Sequence, residues 1–157
     1  MKDNSINTLL GEINKTQKIL KKIDVFYIEF INENKDKSVA NAIVVAESFV
    51  NLYTCLETLF LKISQHFENN LKSHKWHSDL LRKMTLRIEN IREPVLSDET
   101  YNILLEFLRF RHFNRHYFEF DYDWERLEFL ETKYEKVKPL LKTDIENFIS
   151  FLNSLNN

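Results

Sequence analysis

Between Arg109 and Tyr117 the chain places three arginines (Arg109, Arg111, Arg115) and two histidines (His112, His116) in nine residues, with no acid among them. Imidazole titrates near neutrality and so gives or takes a proton. Guanidinium stays charged and grips phosphate oxygens in a bidentate fork. Together they suit the cleavage of a phosphodiester without a metal. An acidic segment follows at once, Glu119, Asp121, Asp123 and Glu125. The same residues also have a plain structural reading. Arg and His at the end of a helix complement its carbonyl dipole, and the acids that follow can pair with them.

Spacing limits what one helix can do. Arg111 and His116 are five positions apart, about 140° around a regular helix. They reach one phosphate only if the helix unwinds near Asn114 or a second chain completes the site. Arg111 and Arg115, four apart, share a face. Glu57, beside Leu56 and Leu59, is either a buried partner for Arg111 or a solvent-facing acid. His74 and His77 are three apart with no third metal ligand nearby, so they read as structural or surface residues. Trp76 reads as core, Cys55 as a small buried apolar side chain, and Asp121 or Asp123 as a helix cap.

The elements that position these residues are helical. Leu9, Ile13, Ile19, Leu20, Ile23, Phe26, Tyr27, Phe30 and Ile31 recur mostly three and four apart, which predicts a helix from about Ser5. A polar turn follows over 32–37, and Ser38 can cap a second helix to about Asn69. That helix is apolar on more than one face and is expected to be central, antiparallel to the first. A looser stretch over 69–75 precedes a helix predicted over 76–88 and a loop over 89–96. Ser97, followed by Asp98 and Glu99, starts the helix that carries Arg111. The last helix runs through Leu127 to Leu152, and Pro139 inside it is expected to kink or split it.

Composition removes many alternatives. The 157 residues include 22 Lys+Arg, 24 Asp+Glu, one Gly and one Cys, for a net charge of −2. Average usage would supply roughly 7% Gly. With Gly11 alone, no glycine-rich phosphate loop can be built, and folds rich in tight β turns are disfavoured. Cys55 alone allows neither an intrachain disulfide nor a cysteine-based zinc site. The near-neutral balance argues against a broad nucleic-acid surface, so any such chemistry is local. No signal peptide is recognisable, and the apolar stretch near Ile43–Ala46, broken by Glu47, falls short of the ~20 residues of a membrane span. The expectation is one domain over residues 1–157, all-α, an up-and-down bundle of four to six helices, in the cytoplasm with no membrane.

Arg111-His112-Phe113-Asn114-Arg115-His116 resembles the signature of the HEPN superfamily of helical ribonucleases: Arg, a polar residue, three further residues, His. The flanks Arg109-Phe110 and Asp123-Trp124-Glu125-Arg126-Leu127, with Trp76-His77-Ser78-Asp79-Leu80-Leu81 and Cys55-Leu56-Glu57, resemble its HepT-like toxin branch. The likeness covers roughly residues 40 to 130. It implies a homodimer in which the Arg–His helices of two subunits share a cleft. It also implies metal-independent RNA cleavage by 2′-hydroxyl attack with no cofactor, and a minimal nucleotidyltransferase as antitoxin. By residue, Arg111 would stabilise charge at phosphorus and His116 would handle protons at the 2′-hydroxyl or the leaving 5′-oxygen. His112, Asn114, Arg109 and Arg115 would bind or orient the substrate.

The branch usually continues to His, any residue, Tyr, and its antitoxin modifies that tyrosine. Here the position is Phe118, so cleavage carries over and tyrosine modification does not, unless Tyr117 or Tyr122 substitutes; Tyr117 is the candidate. Two other readings fit the same residues. One is a non-catalytic module that holds a nucleotide or docks on a nucleotidyltransferase. The other is a helical interaction protein whose Arg/His cluster is structural only.

Overall fold

Five helices carry the described residues of the computed structural model, which describes residues 2–68, 76–115 and 122–157. They are α1 (Lys2–Glu33), α2 (Val39–Phe67), α3 (Trp76–Lys83), α4 (Asp98–Arg115) and α5 (Trp124–Leu155), with no strand among the described residues. The fold is all-α. α2 touches every other helix, as its many-sided apolar pattern requires. It buries Ala42, Val45, Phe49, Leu52, Tyr53, Leu56, Phe60 and Ile63. By length and composition α2 could also cross a membrane, although half of its most apolar window is buried inside this fold.

α1 and α2 run antiparallel, since Lys62 pairs with Glu12 at 2.5 Å while Tyr27 meets Phe49 near the other end. α4 and α5 are likewise antiparallel: Ser97 bonds Asp144, and Phe110 lies under Arg126. An aromatic cluster joins four helices. Tyr27 of α1 packs on Phe49 of α2 and Tyr134 of α5, with centroids 5.6 and 5.1 Å apart, and Phe49 packs on Phe107 of α4 at 5.4 Å. Such offset and edge contacts add to the burial of large apolar rings.

The helix starts follow their caps. The Asn41 amide donates to Ser38 Oγ at 3.1 Å, the Thr100 amide to Ser97 Oγ at 3.3 Å, and the Glu125 amide to Asp123 Oδ1 at 2.9 Å. Each satisfies a donor that the first helical turn leaves open. Asp121, the other cap candidate for α5, lies outside the described residues.

Two expectations about helix extent need correction. α3 stops at Lys83 instead of continuing to Ile88. Its C-terminal carbonyls go elsewhere: Met84 O accepts from the amides of Val95 and Leu96 at 2.8 and 3.0 Å, and Lys83 O accepts from Arg92 Nη2 at 2.9 Å. Ile88 instead forms an isolated bridge with Arg92 around Asn90, whose φ of 62° suits an asparagine in a tight turn. Nor is α5 split at Pro139. The ring deprives only the Glu135 carbonyl of its donor. Both residues are exposed, while Val137 and Leu141 are buried on either side and hold the helix on the core.

Candidate functional site

Arg111 continues the buried stripe of α4. Leu104 and Phe107 precede it at spacings of seven and four and are fully enclosed, and Arg111 itself is only 2% exposed. A guanidinium in that position needs a partner, and α2 supplies it. Glu57, on the apolar stripe that includes Tyr53, Leu56 and Phe60, accepts from Arg111 Nη2 at 2.8 Å through Oε2. Arg111 Nη1 donates to Thr54 Oγ1 at 3.3 Å, and the guanidinium lies 4.8 Å from the centroid of the Tyr53 ring. Glu57 is therefore the buried partner of Arg111, one of the two readings its position in the sequence leaves open.

A third side chain joins the pair from α3. Nδ1 of His77 lies 2.9 Å from Glu57 Oε2 and 3.3 Å from Arg111 Nη2. The Trp76 ring lies tilted against the imidazole, with centroids 3.6 Å apart. Tyr53 is fully buried and its hydroxyl has no partner among the described residues. Burial, and next the Glu57 carboxylate, push that hydroxyl well above the ordinary tyrosine value. Cys55 is half-buried, and burial pushes its thiol up, which keeps it protonated and unreactive.

Arg111 borders a cavity of about 550 Å³ whose other lining residues are His77, Ser78, Leu105, Leu108, Arg109, His112 and Arg115. Three guanidinium groups and two imidazoles thus surround one space with no carboxylate on its described walls. Arg109, His112 and Arg115 are exposed, and Arg109 also reaches Glu106 at 3.3 Å. The arrangement suits an anion with several oxygens. Among the described residues no group of three His, Cys, Asp or Glu side chains is placed to hold a metal ion.

The structure therefore brings Arg109, Arg111, His112 and Arg115 to one cavity. Asn114 is apart from it, with its Oδ1 accepting from the Tyr122 hydroxyl at 2.8 Å. His116, Tyr117 and Phe118, and likewise His74, lie outside the described residues. His77, which the sequence presents as a structural or surface residue, joins this site, because its approach to Glu57 links residues 20 apart through the fold. Glu57 had a clearer signal, an acid inside an apolar helical stripe, which cannot be buried without a partner.

An all-α bundle, with an Arg-His helix end held from the central helix, is the setting in which the resemblance seen in the sequence has to be weighed. The profile of the HepT-like protein family matches residues 44–152, a span from the first turns of α2 almost to the end of α5 that includes the whole cavity wall. No curated protein and no solved structure matches the chain. Proteins of this family are generally ribonuclease-related and associated with toxin–antitoxin pairing. With the match covering well over half of its length, the chain belongs to the HepT-like family of the HEPN superfamily.

Proposed function

We propose that this protein is a cytoplasmic endoribonuclease toxin that cuts RNA without a metal. Residues 1–157 act as one HEPN-like domain, and the site is completed across a homodimer. The observation that carries the reading is a guanidinium, Arg111, buried on a carboxylate yet bordering a cavity of about 550 Å³ whose described walls are basic. The ribose 2′-oxygen attacks the adjacent phosphorus, the bond to the 5′-oxygen breaks, and a 2′,3′-cyclic phosphate remains. Arg111, fixed by Glu57, is aimed at the charge that grows on the phosphoryl oxygens. Preorganised donors of this kind act most strongly where water is excluded. His116 handles a proton of the reaction. Arg109, Arg115 and His112, which line the cavity, bind or orient the strand. The exposed Phe113, next to His112 on α4, suits the contact between subunits. A minimal nucleotidyltransferase serves as antitoxin, and Tyr117 is the hydroxyl available for modification in place of Phe118.

Purified protein is expected to cleave single-stranded RNA in excess EDTA, and His116→Ala or Arg111→Ala is expected to lower the rate by ~10²–10³. A requirement for divalent metal, or full activity in both variants, contradicts the reading.

One observation favours a second reading. Because Glu57 pairs with Arg111 and Glu106 with Arg109, much of the positive charge at the cavity is compensated, which suits holding a nucleotide or docking on a nucleotidyltransferase without cutting. Calorimetric binding of mononucleotides together with no RNA cleavage supports that alternative.

A further inference from the structure

We propose that His77 is the base that takes the 2′-hydroxyl proton; this rests on the ribonuclease reading above. Three features of the geometry carry it. First, the tautomer follows from the hydrogen bonds. Glu57 Oε2 lies 2.9 Å from His77 Nδ1 and also accepts from Arg111 Nη2 at 2.8 Å. A carboxylate can only accept, so Nδ1 carries a hydrogen. The 3.3 Å approach of Arg111 Nη2 to Nδ1 is then two donors sharing one acceptor. Second, with Nδ1–H committed to Glu57, Nε2 bears the free lone pair. The His77 side chain is one-third exposed, and the residue lines the cavity. Third, the ring plane is held, by Glu57 at one edge and by Trp76 against one face.

This is the arrangement in which a carboxylate orients an imidazole and stabilises the imidazolium that forms. Here the carboxylate also anchors the guanidinium that faces the phosphate, so Glu57 is a positioning residue for both. In the step, the 2′-oxygen–phosphorus bond forms as the 2′-hydroxyl proton passes to His77 Nε2. The phosphorus–5′-oxygen bond breaks as that oxygen receives a proton from solvent. One proton is taken and one is given. Among the described residues, Glu57 of α2 and Arg111 of α4 reach the imidazole, and Arg109, His112 and Arg115 of α4 line the same cavity. The four α4 side chains draw a phosphodiester to the cavity, and among the described residues Glu57 is the acceptor that the imidazole contacts.

The test separates base from brace. Asparagine places an amide nitrogen where His77 has Nδ1, so His77→Asn keeps the hydrogen bond to Glu57 and deletes Nε2. His77→Ala deletes both. With the full chain and a short fluorescent single-stranded RNA in EDTA, both variants are expected to lose ~10²-fold or more in kcat with KM moved less than about threefold. Added imidazole is expected to restore part of the rate of the alanine variant. Wild-type cleavage by His77→Asn overturns the proposal, because bracing Glu57 would then be all that His77 supplies; so does an alanine variant whose rate imidazole leaves unmoved. Failure of the underlying reading looks different. In that case the wild type leaves the RNA intact, or His116→Ala cuts it as fast as the wild type does.

Discussion

Arg92 and Arg111 are buried to the same degree, 2% exposed each, and both face a glutamate from the α2 segment. Their surroundings differ. Arg92 Nε donates to Glu68 Oε1 at 2.7 Å, Nη2 reaches the same oxygen at 2.5 Å and Lys83 O at 2.9 Å, and Nη1 donates to Leu86 O at 2.9 Å and Glu93 O at 3.4 Å. Three backbone carbonyls and one carboxylate saturate the fork, so this guanidinium staples the turn after α3 to the end of α2. Arg111 is held by side chains only among the described residues, Glu57 and Thr54 with the Tyr53 ring beneath, and it borders the cavity. A guanidinium closed off by carbonyls can serve the fold alone. One held by side chains beside open space can meet a ligand without the backbone moving.

The contrast can be broken in order of effect. Arg92→Ala takes from Glu68 its closest cation and leaves it, among the described residues, only Lys83 at 3.9 Å and Ser64 at 3.4 Å, and it removes a donor from three carbonyls; removing one member of a buried pair costs about 3–5 kcal/mol. Against a typical total of about 5–15 kcal/mol, thermal unfolding should show a large fall in Tm. Cleavage per folded molecule should stay unchanged. An unaltered Tm for Arg92→Ala would remove the distinction. Arg115→Ala, at the exposed edge of the cavity, should change stability by no more than about 0.5 kcal/mol. In a titration at several salt concentrations it should weaken RNA binding and lower the salt slope by about 0.7 for a single strand.

The smallest effect concerns Tyr53. Deleting a hydroxyl with no partner among the described residues, Tyr53→Phe should be within about 1 kcal/mol of neutral at pH 7. It should also change the alkaline behaviour. Burial raises the hydroxyls of Tyr27, Tyr53 and Tyr134 above the ordinary value of 10.0. Their contribution is therefore fully present below pH 10 and falls above it, as the tyrosines of the unfolded chain ionise while those of the folded chain stay protonated. Urea unfolding between about pH 9 and 11 should show this decline, less steep in Tyr53→Phe.

The sequence made the bundle legible where a signal was local. Ser38, Ser97 and Asp123 start helices because a cap is decided within four residues. The long apolar stripes of α1, α2, α4 and α5 repeat over many turns. The helical period carries on to Ile88, past the end of α3, while the carbonyls of Lys83 and Met84 are claimed by Arg92, Val95 and Leu96, a tertiary fact. α5 runs through Pro139 unsplit because the cost of the ring falls on a solvated carbonyl. Within the site, Arg111 stood out by type and by its stripe with Leu104 and Phe107. Glu57 stayed ambiguous because nothing on α2 itself names a partner 54 residues away. His77 could not be placed at all, since its role depends on how closely α3 approaches α2.

If, as proposed, Arg111 serves chemistry while Arg92 serves the fold, the decisive number is the rate at which Arg111→Lys releases a 2′,3′-cyclic phosphate from single-stranded RNA in EDTA, well below its Tm. Lysine keeps the charge opposite Glu57 but loses the fork. The account predicts a folded protein whose rate is down by ~10²–10³ from the wild type. A folded Arg111→Lys that matches the wild-type rate would contradict it.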